Sequence, residues 1–173
     1  ITNRIFEIWF YNLFISEEAF NNKTYDAGLL SRSQFVKENK LDMEFVLRKF
    51  MEHFTEIYAD SSSKFVEENG RRLFLLYLKP IINGVGNYYI ESRTRSMGCT
   101  DVIVDYLGHQ YVIEMKIWRG NEYNERGEKQ LLEYLEDYKL KRGYMISFNF
   151  NKNKQVGIRE LNFGEKSLIE VVV

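Results

Sequence analysis

The chain has 173 residues, 45% of them hydrophobic and 16% aromatic, enough for one ordinary globular domain with a real core, or a domain plus a small appendage, and too apolar for a disordered chain. Lysine and arginine number 24 against 25 acidic residues, so the basic excess common in nucleic-acid binders is absent; tight, nonspecific DNA binding by this piece alone is disfavoured, while a local basic groove or a partner that holds the substrate is not excluded. No apolar run approaches the roughly 20 residues of a bilayer span, which predicts no membrane partner, and the single cysteine, Cys99, excludes an internal disulfide and fits a reducing cytoplasm.

The sequence starts on Ile1 rather than Met, has no signal-peptide pattern, and reads as a segment of something longer. Asn3 to Phe20 is helix-like. Its apolar residues Ile5, Ile8, Trp9, Phe10, Leu13 and Phe14 are dense on more than one side, which predicts packing between other elements. Asn21 to Thr24 reads as a loop. Asp42 is placed to cap a helix, with Leu41 and Val46 as a hydrophobic staple, and Val46, Phe50, Phe54 and Ile57 follow at helical spacing. Asp60-Ser61-Ser62-Ser63 breaks that helix. Phe65 to about Ile82 is a further helix that ends at Asn83-Gly84, with Pro80 distorting its last turn.

From Tyr88 the period changes to two. Tyr88 to Arg95, Asp101 to Tyr106 and Tyr111 to Ile117 read as strands, with a tight connection over Leu107-Gly108-His109-Gln110. Glu122 to Lys141 is an amphipathic helix whose inner side carries Leu131, Leu132, Leu135 and Tyr138. Gly143 to Phe150 is a fourth strand; shorter ones follow near Val156 to Leu161 and Leu168 to Val173. Helices, a three-strand meander, a crossover helix and a further strand predict a mixed sheet flanked by helices.

The hairpin carries the chemistry. If Leu107 pairs with Gln110, residues whose numbers sum to about 217 oppose each other, so Asp101 faces Lys116 and Ile103 faces Glu114. Alternation then places Asp101, Ile103, Glu114 and Lys116 on one face, with Asp101 and Glu114 as diagonal neighbours about 7–8 Å apart. Two carboxylates so placed can reach one cation, and a lysine beside them can orient a water or stabilise a pentavalent phosphorus centre. An ordinary cross-strand ion pair on a solvated face accounts for the same residue types; the apolar Val102, Val104, Val112 and Ile113 favour a central hairpin beside a cleft. Gln130 and Tyr134, four apart, share a helical face. His53 and His109 are isolated, His109 in a turn, and Gly84-Val85-Gly86 lacks a phosphate-loop pattern.

Asp101, then Glu114-Met115-Lys116, then Gln130-Leu131-Leu132-Glu133-Tyr134 resembles the D…ExK…QxxxY pattern of PD-(D/E)xK nucleases, especially their RecB-like branch. The strings from Tyr111 to Gly120 and from Gln130 to Leu135, with Lys79 to Gly84 and Asn3 to Glu7, are similar to the nuclease-like domain at the C-terminus of bacterial AAA-ATPase-like proteins. The resemblance spans nearly the whole chain and is strongest from about Arg71 to Phe150. It implies a restriction-endonuclease-like α/β/α sandwich with a mixed central sheet over residues 61–173, preceded by an N-terminal helical region over 1–60. It also implies Mg²⁺ or Mn²⁺ on Asp101 and Glu114, with a carbonyl near Met115 as a further ligand. Lys116 then serves the hydrolysis of phosphodiester bonds in DNA, less expectedly RNA, with Gln130 and Tyr134 steadying it or the substrate. A helical glutamate completes the site in many members; Glu67 and Glu68 are candidates, with Glu68 favoured, and Glu91 is a weaker one. Arg93, Arg95 and Arg119 are candidate phosphate contacts. The one departure, Thr100 where the motif name has proline, falls at a variable position. Nucleic acid, an AAA-ATPase-like domain in the full-length chain and a second copy of this one are the expected partners. The rival expectation is an inactive nuclease-fold module that binds nucleic acid or assembles with the ATPase.

Overall fold

The computed structural model describes residues 4–58, 65–93 and 99–173. Five helices and eight strands alternate in the order α1 (Arg4–Glu18), α2 (Lys23–Ser31), β1 (Val36–Lys37), β2 (Lys40–Leu41), α3 (Met43–Tyr58), α4 (Glu67–Ile82), β3 (Gly86–Arg93), β4 (Cys99–Tyr106), β5 (His109–Ile117), α5 (Asn121–Asp137), β6 (Arg142–Phe148), β7 (Gly157–Phe163) and β8 (Lys166–Val172) among these residues. No described helix is long and apolar enough to cross a membrane.

Strands β3 to β8 form one mixed sheet in the order β3-β4-β5-β6-β8-β7. The meander β3-β4-β5 is antiparallel. Strands β5 and β6 are parallel, so the chain must cross over between them, and α5 is that crossover. Its inward residues Leu131, Tyr134 and Leu135 bury against Ile103, Val112, Met145 and Leu168 on one face of the sheet. The opposite face carries the larger core, where Val102, Val104, Ile113, Met115, Ile146 and Phe148 meet Phe50, Phe54, Phe74 and Leu75 from α3 and α4. Even and odd positions of β4 and β5 thus divide between the two cores, as strand alternation requires.

Local signals place most elements. Asp42 caps α3, accepting a hydrogen bond from the Phe45 N–H at 3.1 Å. Gly84, at φ 92°, follows the end of α4. Pro80 lies inside α4, which runs on to Ile82. The Asp60–Ser63 break lies outside the described residues.

Three expectations need correction. Helix α1 is not packed between elements: Ile15 is buried, but Phe6, Trp9 and Phe10 are each more than half exposed. Helix α2 occupies Lys23–Ser31, where no helix was expected. The hairpin register is Tyr106↔His109, Asp105↔Gln110 and Val102↔Ile113, a sum of 215 rather than 217. Leu107 and Gly108 both take positive φ, 51° and 80°, and form a two-residue turn whose twist matches the strands. His109 is accordingly the first residue of β5 rather than part of the turn.

Candidate active site

Extending the observed register by one step sets Asp101 directly across from Glu114. The shift by one pair leaves the parity unchanged, so Asp101, Glu114 and Lys116 still lie on the α5 face with Ile103 and Val112. The carboxylates become direct cross-strand neighbours, with Cβ atoms about 5 Å apart, rather than diagonal ones.

Asp101 sits where β4 parts from β5. Its Oδ2 accepts the Met115 backbone N–H at 2.8 Å, and its Oδ1 accepts from the Arg71 guanidinium at 2.8 Å. Burial raises the Asp101 pKa above the ordinary carboxylate value, against the opposing pull of Arg71, the Met115 N–H and Lys116. Glu114 is deeper, with its side chain 1% exposed. Lys116 Nζ stands 2.7 Å from Glu114 Oε1, close enough for an ion pair. The Lys116 ammonium and the Asp101 backbone N–H both favour its ionised form. Burial and the Asp101 charge outweigh Lys116 and push the Glu114 pKa up to about 8. Burial would depress the Lys116 ammonium, but Glu114, Asp101 and Glu67 outweigh it and hold its pKa above the usual lysine value.

Helix α5 closes the cleft. A Cβ on Gly127 would lie 3.3 Å from Lys116 Cγ, so the small residue lets the helix rest on the lysine stem. One turn on, Gln130 Nε2 donates to the Tyr134 hydroxyl. Tyr134 is buried; burial, helped by the Glu114 and Asp101 charges, pushes its pKa up to about 12 against the opposing pull of Gln130 and Lys116. The four-residue spacing therefore brings both side chains to this face.

Of the two helical glutamates, Glu67 turns to the cleft. Its Oε1 accepts from the Ile117 N–H at 3.3 Å and the Tyr123 hydroxyl at 3.2 Å, and its charge acts on Asp101 and Lys116. Glu68, the favoured candidate, is exposed and lines a groove beside the cleft and the aromatic pocket next to it. The helix turns about 100° per residue, so neighbours on α4 cannot both face the sheet. Arg119 is exposed at the same groove, its guanidinium 5.6 Å from the Tyr123 ring centre. The Arg93 and Glu91 side chains, and the whole of Arg95, lie outside the described residues.

Two features escaped sequence reasoning. Arg71 reaches Asp101 from α4; its spacing of four from Glu67, on one helical face, was the available signal. A second buried polar group lies farther along the same sheet face. Glu170, fully buried, is 2.5 Å from the Ser147 hydroxyl and accepts from Asn124 at 3.1 Å, and Arg159 donates to its other oxygen. Glu170 interrupts the apolar run from Leu168 to Val172, which was the legible sign. Because Lys116 aligns with Ser147 and Met145 with Glu170, this network continues the polar band from Asp101 across the sheet. Its donors and acceptors are matched, which suits a structural pin.

Among the described residues, no group of three or more His, Cys, Asp or Glu side chains is arranged to hold a metal. No protein-family model matches the chain, and no curated protein matches it.

Proposed function

We propose that the chain is a metal-dependent phosphodiesterase acting on nucleic acid, DNA before RNA, on a restriction-endonuclease-like fold. The observation that carries this reading is the carboxylate pair: Glu114, its side chain buried to 1% exposure, sits opposite the largely buried Asp101, with Lys116 beside it. Burial and the Asp101 charge outweigh Lys116 and keep the Glu114 pKa raised, and the donor set of two carboxylates suits a hard divalent ion such as Mg²⁺ or Mn²⁺. The Met115 carbonyl is the third candidate ligand. A residue's N–H and C=O leave a strand on the same edge, and the Met115 N–H points at Asp101.

The bound cation would lower the pKa of a water and draw charge from the scissile phosphate. Lys116, held by carboxylates on the cleft floor, supplies a fixed positive charge for negative charge developing on phosphate oxygens. Arg71 aligns Asp101 and adds a second fixed cation. Tyr134, packed against the sheet with Gln130 bonded to its hydroxyl, holds α5 over the lysine and steadies it. Helix, three-strand meander, crossover helix and parallel strand follow one another as the resembled fold would have them, which supports the fold assignment.

A specific observation also favours the second reading, an inactive module: Arg71 and Lys116 already neutralise Asp101 and Glu114. One paired experiment separates the two, calorimetric Mn²⁺ titration beside cleavage of labelled single- and double-stranded DNA and RNA. Asp101→Asn removes a ligand and should weaken both binding and cleavage. Lys116→Ala removes a charge that repels the metal, so binding holds or tightens while cleavage falls roughly 100- to 1000-fold. A wild-type chain that neither binds Mn²⁺ nor cleaves would establish the inactive module.

A further inference from the structure

Helix α1 leaves an aromatic surface uncovered. Phe6, Trp9 and Phe10 are 59%, 55% and 59% exposed, and Trp9 packs edge-on against Phe10 with ring centres 5.2 Å apart. Where α1 meets α4, Phe10, Tyr11, Phe14, Glu68 and Arg72 line a pocket of about 240 Å³. In its floor the Arg72 guanidinium lies 3.6 Å from the Phe14 ring centre and donates to Glu18 at 3.1 Å. A larger groove of about 450 Å³ adjoins it, lined by Tyr11, Glu67, Glu68, Arg71, Ile117 and Arg119. Tyr11 and Glu68 belong to both. The groove in turn reaches Arg71, which binds Asp101 at the cleft.

We propose that this pocket receives an unpaired nucleobase from a single-stranded nucleic acid whose backbone runs through the Arg71–Arg119 groove toward the Asp101–Glu114 cleft. The chemistry fits three parts of one nucleotide. The Phe10 and Tyr11 rings offer faces for stacking, which tolerates any base. The Glu68 carboxylate at the shared rim accepts from an exocyclic amine of a base edge. The exposed Arg119 guanidinium offers donors for a phosphate, and Arg71, seated on Asp101, lies at the inner end of the groove. Duplex is disfavoured because a base inside the stack must be flipped out at a cost of a few kcal/mol.

The inference takes the cleft beyond the groove from the phosphodiesterase reading, but it stands or falls on binding alone. The test is fluorescence anisotropy of short labelled oligonucleotides in EDTA, where no metal-dependent cleavage proceeds. Single strands should bind at least about tenfold tighter than the matching duplex. Phe10→Ala and Phe10→Leu should both weaken single-strand binding roughly 5- to 100-fold, and Phe10→Tyr should restore it. Leucine keeps the surface apolar and removes only the aromatic face, and Phe10 is too exposed for these changes to unfold the chain. Duplex binding as tight as single-strand binding, a Phe10→Leu variant equal to wild type, or no oligonucleotide binding would overturn the proposal. So would a concentration-dependent dimer, seen by sedimentation, that Phe10→Ala dissolves and Phe10→Leu preserves. A chain that binds single strands through Phe10 yet never cleaves would sink the catalytic reading and leave this one standing; one that cleaves with no response to Phe10 would do the reverse.

Discussion

Replacing Glu114 with glutamine tests the buried carboxylate most sharply. In the folded chain its pKa is pushed from an ordinary 4.5 up to about 8, so between those values the native state holds a proton that the unfolded state has lost. Stability then falls as pH rises through that window and levels off above it. Lys116 is charged in both states across the window, so it does not add to the slope. At about 1.4 kcal/mol per pH unit, the full gap sets an upper bound of roughly 5 kcal/mol. Relaxation around the Lys116 ammonium at 2.7 Å should leave a few kcal/mol. For a domain of this size one kcal/mol is worth about 2–4 °C in Tm. Metal-free wild type should therefore lose on the order of 5–15 °C between pH 5 and pH 8 relative to Glu114→Gln, and the variant should be the more stable protein at pH 8. Mn²⁺ reverses the order. At a hundred times its Kd a ligand adds about 2.7 kcal/mol, which wild type should gain and Glu114→Gln should not. Thermal melts of both proteins at pH 5 and 8, in EDTA and in Mn²⁺, give the whole comparison. Parallel pH curves would refute the unfavourable burial of the ionised carboxylate, and equal Mn²⁺ gains would refute its role as a ligand.

Arg71→Met leaves Asp101 facing Glu114 with one cation fewer; the metal-free protein should lose about 3–5 kcal/mol and recover much of it in Mn²⁺, as urea unfolding with and without the metal will show. Gly70→Ala puts a Cβ 2.3 Å from the buried Phe148 ring, so the ring or α4 must give way; a loss of about 1–3 kcal/mol is expected by denaturation, and weakened Mn²⁺ binding by calorimetry if α4 moves and carries Glu67 and Arg71 with it. Arg159→Ala removes one donor to buried Glu170 but leaves Ser147 and Asn124; it should cost about 1–3 kcal/mol in a melt and leave Mn²⁺ affinity unchanged, because the network is a pin rather than a ligand set.

Much of this arrangement was legible because strand alternation is robust. The expected hairpin register was off by one pair, yet Asp101, Glu114 and Lys116 stayed on one face, since a shift that preserves parity moves partners without flipping side chains. What failed was the turn. A leucine at φ 51° is not a residue that announces a two-residue turn. Gly28 lies inside α2, where no helix was expected. A glycine weakens a helix in isolation, but here a Cβ would sit 2.1 Å from the Tyr77 carbonyl oxygen, so its smallness serves packing of α2 on α4. Hydrophobic density in α1 promised burial on several sides and says nothing of whether a partner covers them; Trp9 and Phe10 remain open. The choice between Glu67 and Glu68 depended on the rotation of α4 about its axis, which no local pattern sets.

The central claim is that Asp101 and Glu114 share one divalent ion. Crystals grown or soaked in Mn²⁺ and measured near its absorption edge locate that ion without reference to activity. The account predicts an anomalous peak between the two carboxylates, about 2–2.3 Å from an oxygen of each, with Lys116 Nζ drawn away from Glu114. A difference map with no peak in the cleft, and Arg71 and Lys116 still seated on their carboxylates at saturating Mn²⁺, would contradict it.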